Sequence, residues 1–455
     1  MNRIALRSYI VVFFALLLLG GFTFFLVEYA AQADDWVTSG GSPHVYTGGN
    51  IGTGVVVDRE DVLLLDMTDG RTYSSSESVR KTSVHWVGDR YGSVNAPALP
   101  NYAAELVGFD ILTGTYKYGN NGGVAKLTLS AQVQSAALKA MGDHKGTVAV
   151  YNYKTGELLC GVSTPGFDPD NVPKTGLEEG GKNEGMYVNR FTQSVYIPGS
   201  IFKIVTLAAA LESIPDIQEQ KFTCKGEYMI GDQKITCEDK HWNQSLKMAF
   251  RNSCNCAFAQ IAQQLGGETL NRFVEQFGIT KSVQFDGITT AKGNYDVEGA
   301  MEWDVAWSSV GQYRDQINPC AFLTFMGAIA GDGKGVTPYL VGEVSCGNNV
   351  TYTAKTETRG RIMSASTAKI LREYLAFNVE DKYGSQNFPG LTVGGKTGTA
   401  EVGGGKKPNA LFTGIVEDEQ YPLAFIVVVE DGGYGAKVSL PIAAKVLQAC
   451  KEALD

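Results

Sequence analysis

Apolar positions crowd the start of the chain and then thin into short runs. From Tyr9 to Val27 nearly every side chain is apolar, with Thr23 the clearly polar exception. As a helix this run reaches roughly 28 Å, close to the hydrocarbon thickness of a bilayer. It predicts a membrane anchor over residues 9–27 within an N-terminal segment 1–31. Arg3 and Arg7 precede the run and favour a cytoplasmic N-terminus, with the rest of the chain outside the cytoplasmic membrane. Ala31-Gln32-Ala33 has the small-residue pattern of a signal-peptide cleavage site. The apolar run is longer than a usual signal core, which favours an uncleaved, single-pass anchor.

Residues 32–122 carry short β-type runs such as Thr53–Val57 and Val62–Leu65 among Gly, Ser, Thr, Asp and Tyr. They predict a small β-rich N-terminal domain. From 123 to 455 the texture changes. Gln132–Met141 has helical apolar spacing, Thr147–Tyr151 and Leu158–Val162 read as a hairpin, and Ile201–Leu211 reads as a buried helix. Leu246–Leu265 reads as a helix with an interrupted start. Two strongly apolar strands fall around Ala410–Val416 and Leu423–Val429, and Pro441–Ala453 has a helical pattern. Strands at both ends of a helix-rich middle predict an α+β domain whose sheet is mainly antiparallel.

The 455 residues suit two or three domains with a large core. A net charge of −9 without a basic block argues against nucleic acid as a partner. Of the eight cysteines, Cys224 and Cys237 flank a hairpin pattern turning at Gly231-Asp232, so a disulfide between them is one reading and two free thiols the other. A metal is not expected. No second Cys/His pair has zinc-ligand spacing, and His241, close to Cys237, lacks a fourth ligand and reads as structural.

Three short patterns carry candidate chemistry, and each occurs three times. S-x-x-K falls at Ser78, Ser200 and Ser366; S-x-N at Ser93, Ser253 and Ser385; K-T-G at Lys154, Lys174 and Lys396. Context has to choose among them. Ser200 follows the chain break Pro198-Gly199 and opens an apolar helix, where free N–H groups and the positive dipole end stabilise an oxyanion. Lys203, one turn along, reaches the same hydroxyl, and apolar surroundings lower a lysine's pKa. The bland alternative is an N-cap serine beside a snorkelling lysine. Ser78/Lys81 sits in a polar stretch and reads as a solvated loop. Ser366/Lys369 stands too near the remaining motifs to belong to a separate packed element. Ser253-Cys254-Asn255 interrupts a helical run, as a loop lining a cleft would; the alternative is a Ser or Asn cap. Lys396-Thr397-Gly398-Thr399 follows a strand pattern, and Gly398 lets a ligand backbone lie alongside. Lys and Thr there can hold a carboxylate on an edge strand. Lys154 and Lys174 fall in a turn and a loop.

With these contexts the chain resembles the class B penicillin-binding proteins over most of residues 125–455. The likeness rests on the three motifs and on Leu127-Thr128-Leu129, Ser163–Pro169, Tyr196–Ser200, Cys237–His241, Ser309–Gln312, Gly335–Pro338 and Gly395–Glu401 with Ala410–Gly414. Two positions depart: Tyr313 and Trp242 stand where the family usually has glycine.

The resemblance implies a penicillin-binding/β-lactamase-like transpeptidase domain, an antiparallel sheet flanked by helices. It implies a serine D,D-transpeptidase that cross-links peptidoglycan stem peptides without a cofactor or metal and is trapped covalently by β-lactams. In that chemistry Ser200 is the nucleophile, Lys203 its base, and Ser253 with Lys396 relays a proton to the leaving D-alanine. Asn255 holds the acyl-side amide. Thr397, Gly398 and Thr399 bind the substrate, the two threonines its carboxylate, while the Ser200 and Thr399 N–H groups hold the oxyanion. By analogy a polytopic glycosyltransferase is a partner. A carboxypeptidase or β-lactamase-type hydrolase and a non-catalytic β-lactam sensor or scaffold are the alternatives.

Overall fold

An apolar run without proline should be helical through Gly20-Gly21, since glycine is tolerated in membrane-length helices, and it is. In the computed structural model, which describes residues 2–40, 42, 45–47, 49–109, 111, 113–114 and 122–455, helix α1 spans Asn2–Val37. Its segment Arg3–Ala33 is long and apolar enough to cross a membrane, and none of its most apolar stretch is buried by protein.

The next strands build a six-stranded sheet in the order 349–353, 341–346, 123–127, 55–57, 63–66, 72–73. The sheet cuts across the boundary expected at 122/123. Gly123–Leu127 pairs parallel with Val55–Val57 on one side and antiparallel with Val341–Cys346 on the other. Two of its strands thus come from the far half of the chain, a non-local pairing that no local pattern announces. The region is not purely β either. Glu77–Val87 is a helix that buries Val79, Val84, Trp86 and Val87, so Ser78 and Lys81 lie on a helix and not in a loop. Lys81 pairs there with Glu77, one turn away.

The second sheet is wholly antiparallel. Strands β1 (Gly146–Asn152) and β2 (Leu158–Thr164) form a hairpin, with Asn152 Oδ1 accepting from the N–H groups of Lys154 and Thr155 in the turn. Strands β3 (Lys221–Cys224), β4 (Glu227–Ile230), β5 (Gln233–Thr236) and β6 (Trp242–Ser245) form a small excursion at one side. There β4 pairs with β5 about the Gly231-Asp232 turn, and β3 pairs with β6. Strands β7 (Val393–Ala400), β8 (Asn409–Val416) and β9 (Leu423–Val429) complete the main sheet in the order β7-β8-β9-β1-β2. This leaves β7 at an edge.

Side chains alternate across the sheet with period two, which assigns each strand to two cores. Ala424, Ile426 and Val428 of β9 join the larger core, while Leu423, Phe425, Val427 and Val429 join the other. Helices α2 (Ala131–Met141) and α8 (Ser439–Leu454) cover the second face. The first face carries α3 (Lys203–Ser213), α4 (Leu246–Asn252), α5 (Asn255–Phe277), α6 (Pro319–Ala330) and α7 (Ala365–Asn378). Both faces of β8 and β9 are buried, which is why those strands read as continuous apolar runs.

Candidate active site

Ser200 lies in a 3-10 turn, Gly199–Phe202, that runs directly into α3. The turn packs tightly on its neighbours. Gly199 has φ 53° and donates its N–H to Gly311 O at 2.9 Å. A Cβ on Gly199 would stand 2.6 Å from Thr399 O, and one on Gly311 would stand 2.1 Å from Gly199 O. Glycine is therefore required on both sides of the contact, and the Ser200 turn is clamped against β7.

Between α4 and α5 the chain reverses at Ser253, whose φ of 58° is left-handed. Neither serine nor asparagine caps the second helix; the Cys254 side chain accepts from Ala257 N–H instead. The kink turns Ser253 and Asn255 toward α3.

Five side chains from three distant stretches then meet in one hydrogen-bonded chain. Lys203 Nζ stands 3.1 Å from Ser200 Oγ and 3.1 Å from Ser253 Oγ. It also donates to Ser253 O and to Asn255 Oδ1, each at 2.7 Å. Lys396 Nζ donates to Ser253 Oγ at 3.0 Å and to Thr397 O at 2.9 Å. Both lysines are fully buried. Burial brings the Lys203 ammonium down from 10.5 to about 8. Lys396 is pushed well below its ordinary value, by burial first and then by Lys203 and Lys382. A hydroxyl beside an amine that can be neutral near physiological pH is an activated nucleophile.

On β7, Lys396 and Gly398 are buried, while Thr397 and Thr399, two residues apart on the strand, are half-buried. Gly398 lies against the Ser200 turn, where a Cβ would meet Ile201 Cγ2 at 3.0 Å and Pro198 O at 3.1 Å. Two supporting residues carried no motif and were not anticipated. Buried Tyr383, just after α7, shares a 3.0 Å hydrogen bond with Thr397 Oγ1, and its oxygen accepts from Thr397 N–H at 3.2 Å. Asn378, at the end of α7, donates to Gly395 O at 3.1 Å.

Two expectations change. Cys224 and Cys237 are free thiols, not a disulfide. Cys224 sits on β3, which pairs with β6 and not with the β4–β5 hairpin, and Cys237 Sγ faces His241 Nδ1 and Cys254 Sγ. His241 does have companions, because Cys254 joins it from the S-x-N loop.

Two other concavities, about 350 and 430 Å³, are lined by residues outside this chain of groups. The chain of hydrogen-bonded groups lies instead against β7, an edge strand of the kind that can pair with an extended peptide.

The profile of the penicillin binding protein transpeptidase domain matches residues 146–448. The chain belongs to this family. This penicillin-binding protein is 28% identical over 350 residues to the peptidoglycan D,D-transpeptidase PbpA of Mycolicibacterium smegmatis, covering 71% of this chain and 70% of the relative. It is 28% identical to stage V sporulation protein D of Bacillus subtilis over 71% of this chain and 52% of that protein. Among solved structures, the D,D-transpeptidase domain of a peptidoglycan glycosyltransferase from Eggerthella lenta superposes with a TM-score of 0.74 at 26% identity, over 88% of this chain and 98% of that one. Penicillin-binding protein A of M. tuberculosis, as its penicillin G acyl-enzyme, has a TM-score of 0.74 at 24% identity over 88% and 99%. That last likeness concerns the fold.

Proposed function

We propose that this membrane-anchored penicillin-binding protein is a peptidoglycan D,D-transpeptidase acting through a Ser200 acyl-enzyme. The observation that carries the assignment is the shared contact of Lys203 Nζ with Ser200 Oγ, Ser253 Oγ and Asn255 Oδ1. Neutral Lys203 takes the Ser200 proton as the oxygen attacks the carbonyl between the two terminal D-alanines of a stem peptide. The Ser200 and Thr399 N–H groups hold the resulting oxyanion. Ser253, held by Lys396, passes a proton to the departing amine, and D-alanine leaves. Asn255 orients the acyl-side amide. Thr397 and Thr399 bind the terminal carboxylate beside Gly398. An amine of a second stem then attacks the ester, forms the cross-link amide and returns the proton to Ser200. A β-lactam stops at the acyl stage.

Arg3 and Arg7 ahead of the apolar run of α1 support a cytoplasmic N-terminus, which puts the catalytic domain on the cell-wall side. A polytopic glycosyltransferase that supplies nascent strands is the partner we assign on the family resemblance.

The test uses the full chain in detergent with a fluorescent penicillin. Wild type should label covalently and Ser200→Ala should not. With a stem-peptide donor and acceptor, cross-linked dimer is expected; free D-alanine without dimer would make the protein a hydrolase. No labelling of wild type would leave a scaffold.

A further inference from the structure

Four ligand-bearing side chains converge beside the S-x-N loop. Cys224 ends β3, Cys237 follows β5, His241 precedes β6, and Cys254 stands between α4 and α5. One ligand atom from each lies within 4.8 Å of all the others. Cys237 Sγ is 3.9 Å from Cys254 Sγ and 3.6 Å from His241 Nδ1. Bonds of about 2.3 Å to sulfur and 2.0–2.1 Å to nitrogen, at tetrahedral angles, give edges of about 3.8 Å (S···S) and 3.6 Å (S···N). The two measured spacings fit those edges.

The surroundings suit a soft cation. Cys224 and Cys254 are buried, while Cys237 and His241 are half-buried and leave a route in. Ala257 N–H donates to Cys254 Sγ at 3.4 Å, a contact that also supports a metal-bound thiolate. Cys224 Sγ stands 3.4 Å from Asp239 O, a thiol contact that coordination would replace. Cys256, also buried, lies against the other three thiols as a neighbour to the ligand set.

We propose that Cys224, Cys237, His241 and Cys254 form a structural zinc site that ties the β3–β6 excursion to the loop carrying Ser253 and Asn255. Thiolate and imidazole ligands with four closed positions select zinc over the hard cations. Binding displaces three thiol protons to solvent and changes no oxidation state. The ion adds to the direct polar contacts between the two pieces, in which Asn255 Nδ2 donates to Thr236 O and Asn252 Nδ2 to Gln244 Oε1, each at 2.9 Å. Because Cys254 is flanked by Ser253 and Asn255, fixing its sulfur fixes the backbone that aims both at Lys203. The metal site stands on its own ligand geometry; only this positioning role rests on the transpeptidase reading.

The experiment uses the full chain, purified in detergent without chelator and supplied with zinc alone. Elemental analysis after dialysis should find one zinc per chain. Cobalt(II) exchanged into the site should show the intense visible bands of tetrahedral thiolate coordination. Cys237→Ser and His241→Ala should each weaken zinc binding about 10- to 100-fold or more and lower the melting temperature, whereas Cys346→Ser should change neither. Should those variants fail to fold, the zinc count and cobalt spectrum of wild type still decide. No retained zinc, an octahedral cobalt spectrum, or a zinc-free protein whose mass shows a disulfide among these cysteines would overturn the site. Chelation should slow penicillin labelling about tenfold and zinc should restore it; unchanged labelling would overturn the positioning role. Absent labelling in protein that does hold zinc would defeat the transpeptidase reading and leave the metal site standing.

Discussion

Lys203 and Lys396 share one hydroxyl: their nitrogens stand 3.1 and 3.0 Å from Ser253 Oγ. Two buried amines on one oxygen cannot both be charged cheaply, since each disfavours the other's proton. That relationship links Ser200, by way of Lys203, to the edge strand through a single serine.

Acylation should therefore depend on pH through Lys203. Its folded value of about 8 lies below the ordinary 10.5, so the base is mostly protonated at pH 6 and mostly neutral at pH 9. The second-order rate of penicillin labelling should rise through about pH 8 and then level. The sign for stability is the same. Between about 8 and 10.5 the unfolded lysine holds more proton than the folded one, so this group adds stability as pH rises through that window. Rates flat from pH 6 to 10 would remove Lys203 as the base.

Ser253 separates chemistry from conformation. Ser253→Ala and Ser253→Gly both lose the hydroxyl, and each should slow acylation about 10²- to 10⁴-fold. They should differ in stability. At φ 58° alanine keeps the left-handed strain and glycine relieves it, so the glycine variant should be about 1 kcal/mol more stable than the alanine variant by denaturant unfolding. Full activity in either would exclude the proton relay.

Tyr383→Phe tests a positioning residue. Removing its hydroxyl leaves the Thr397 hydroxyl and N–H without that partner. Stability should fall by about 1–2 kcal/mol. The KM for the stem peptide should rise more than kcat falls, because Thr397 is assigned to hold the carboxylate. An equal loss in kcat with unchanged KM would place Tyr383 in the chemistry instead.

Trp242 and Tyr313 occupy the two positions where the family resemblance leads one to expect glycine, and both have positive φ, 52° and 82°. Each therefore keeps a glycine-like backbone under a large side chain, and they are 61% and 37% exposed. Trp242→Gly and Tyr313→Gly should each raise stability by about 1 kcal/mol through relieved strain. A thermal melt in which both fall instead would mean that the aromatic rings supply more packing than the backbone costs.

The chain by itself determined its local chemistry. Pro198-Gly199 ahead of an apolar run set Ser200 at a helix start, Lys203 followed at one turn, and the strand pattern leading into Lys396-Thr397-Gly398 marked β7, because helix breaks and strand patterns are local properties. It also marked α1 as a helix long and apolar enough to cross a membrane, since bilayer thickness sets the length of such a run. Only the tertiary structure decided what meets what. Tyr383 carries no motif and became visible when the end of α7 was laid beside β7. Val341–Cys346 joined a sheet begun near residue 55, and Cys254, read as the middle of S-x-N, turned out to complete a set with Cys224, Cys237 and His241. Contacts across such separations depend on how packed elements close in space, and side-chain spacing along the chain carries no record of that closure.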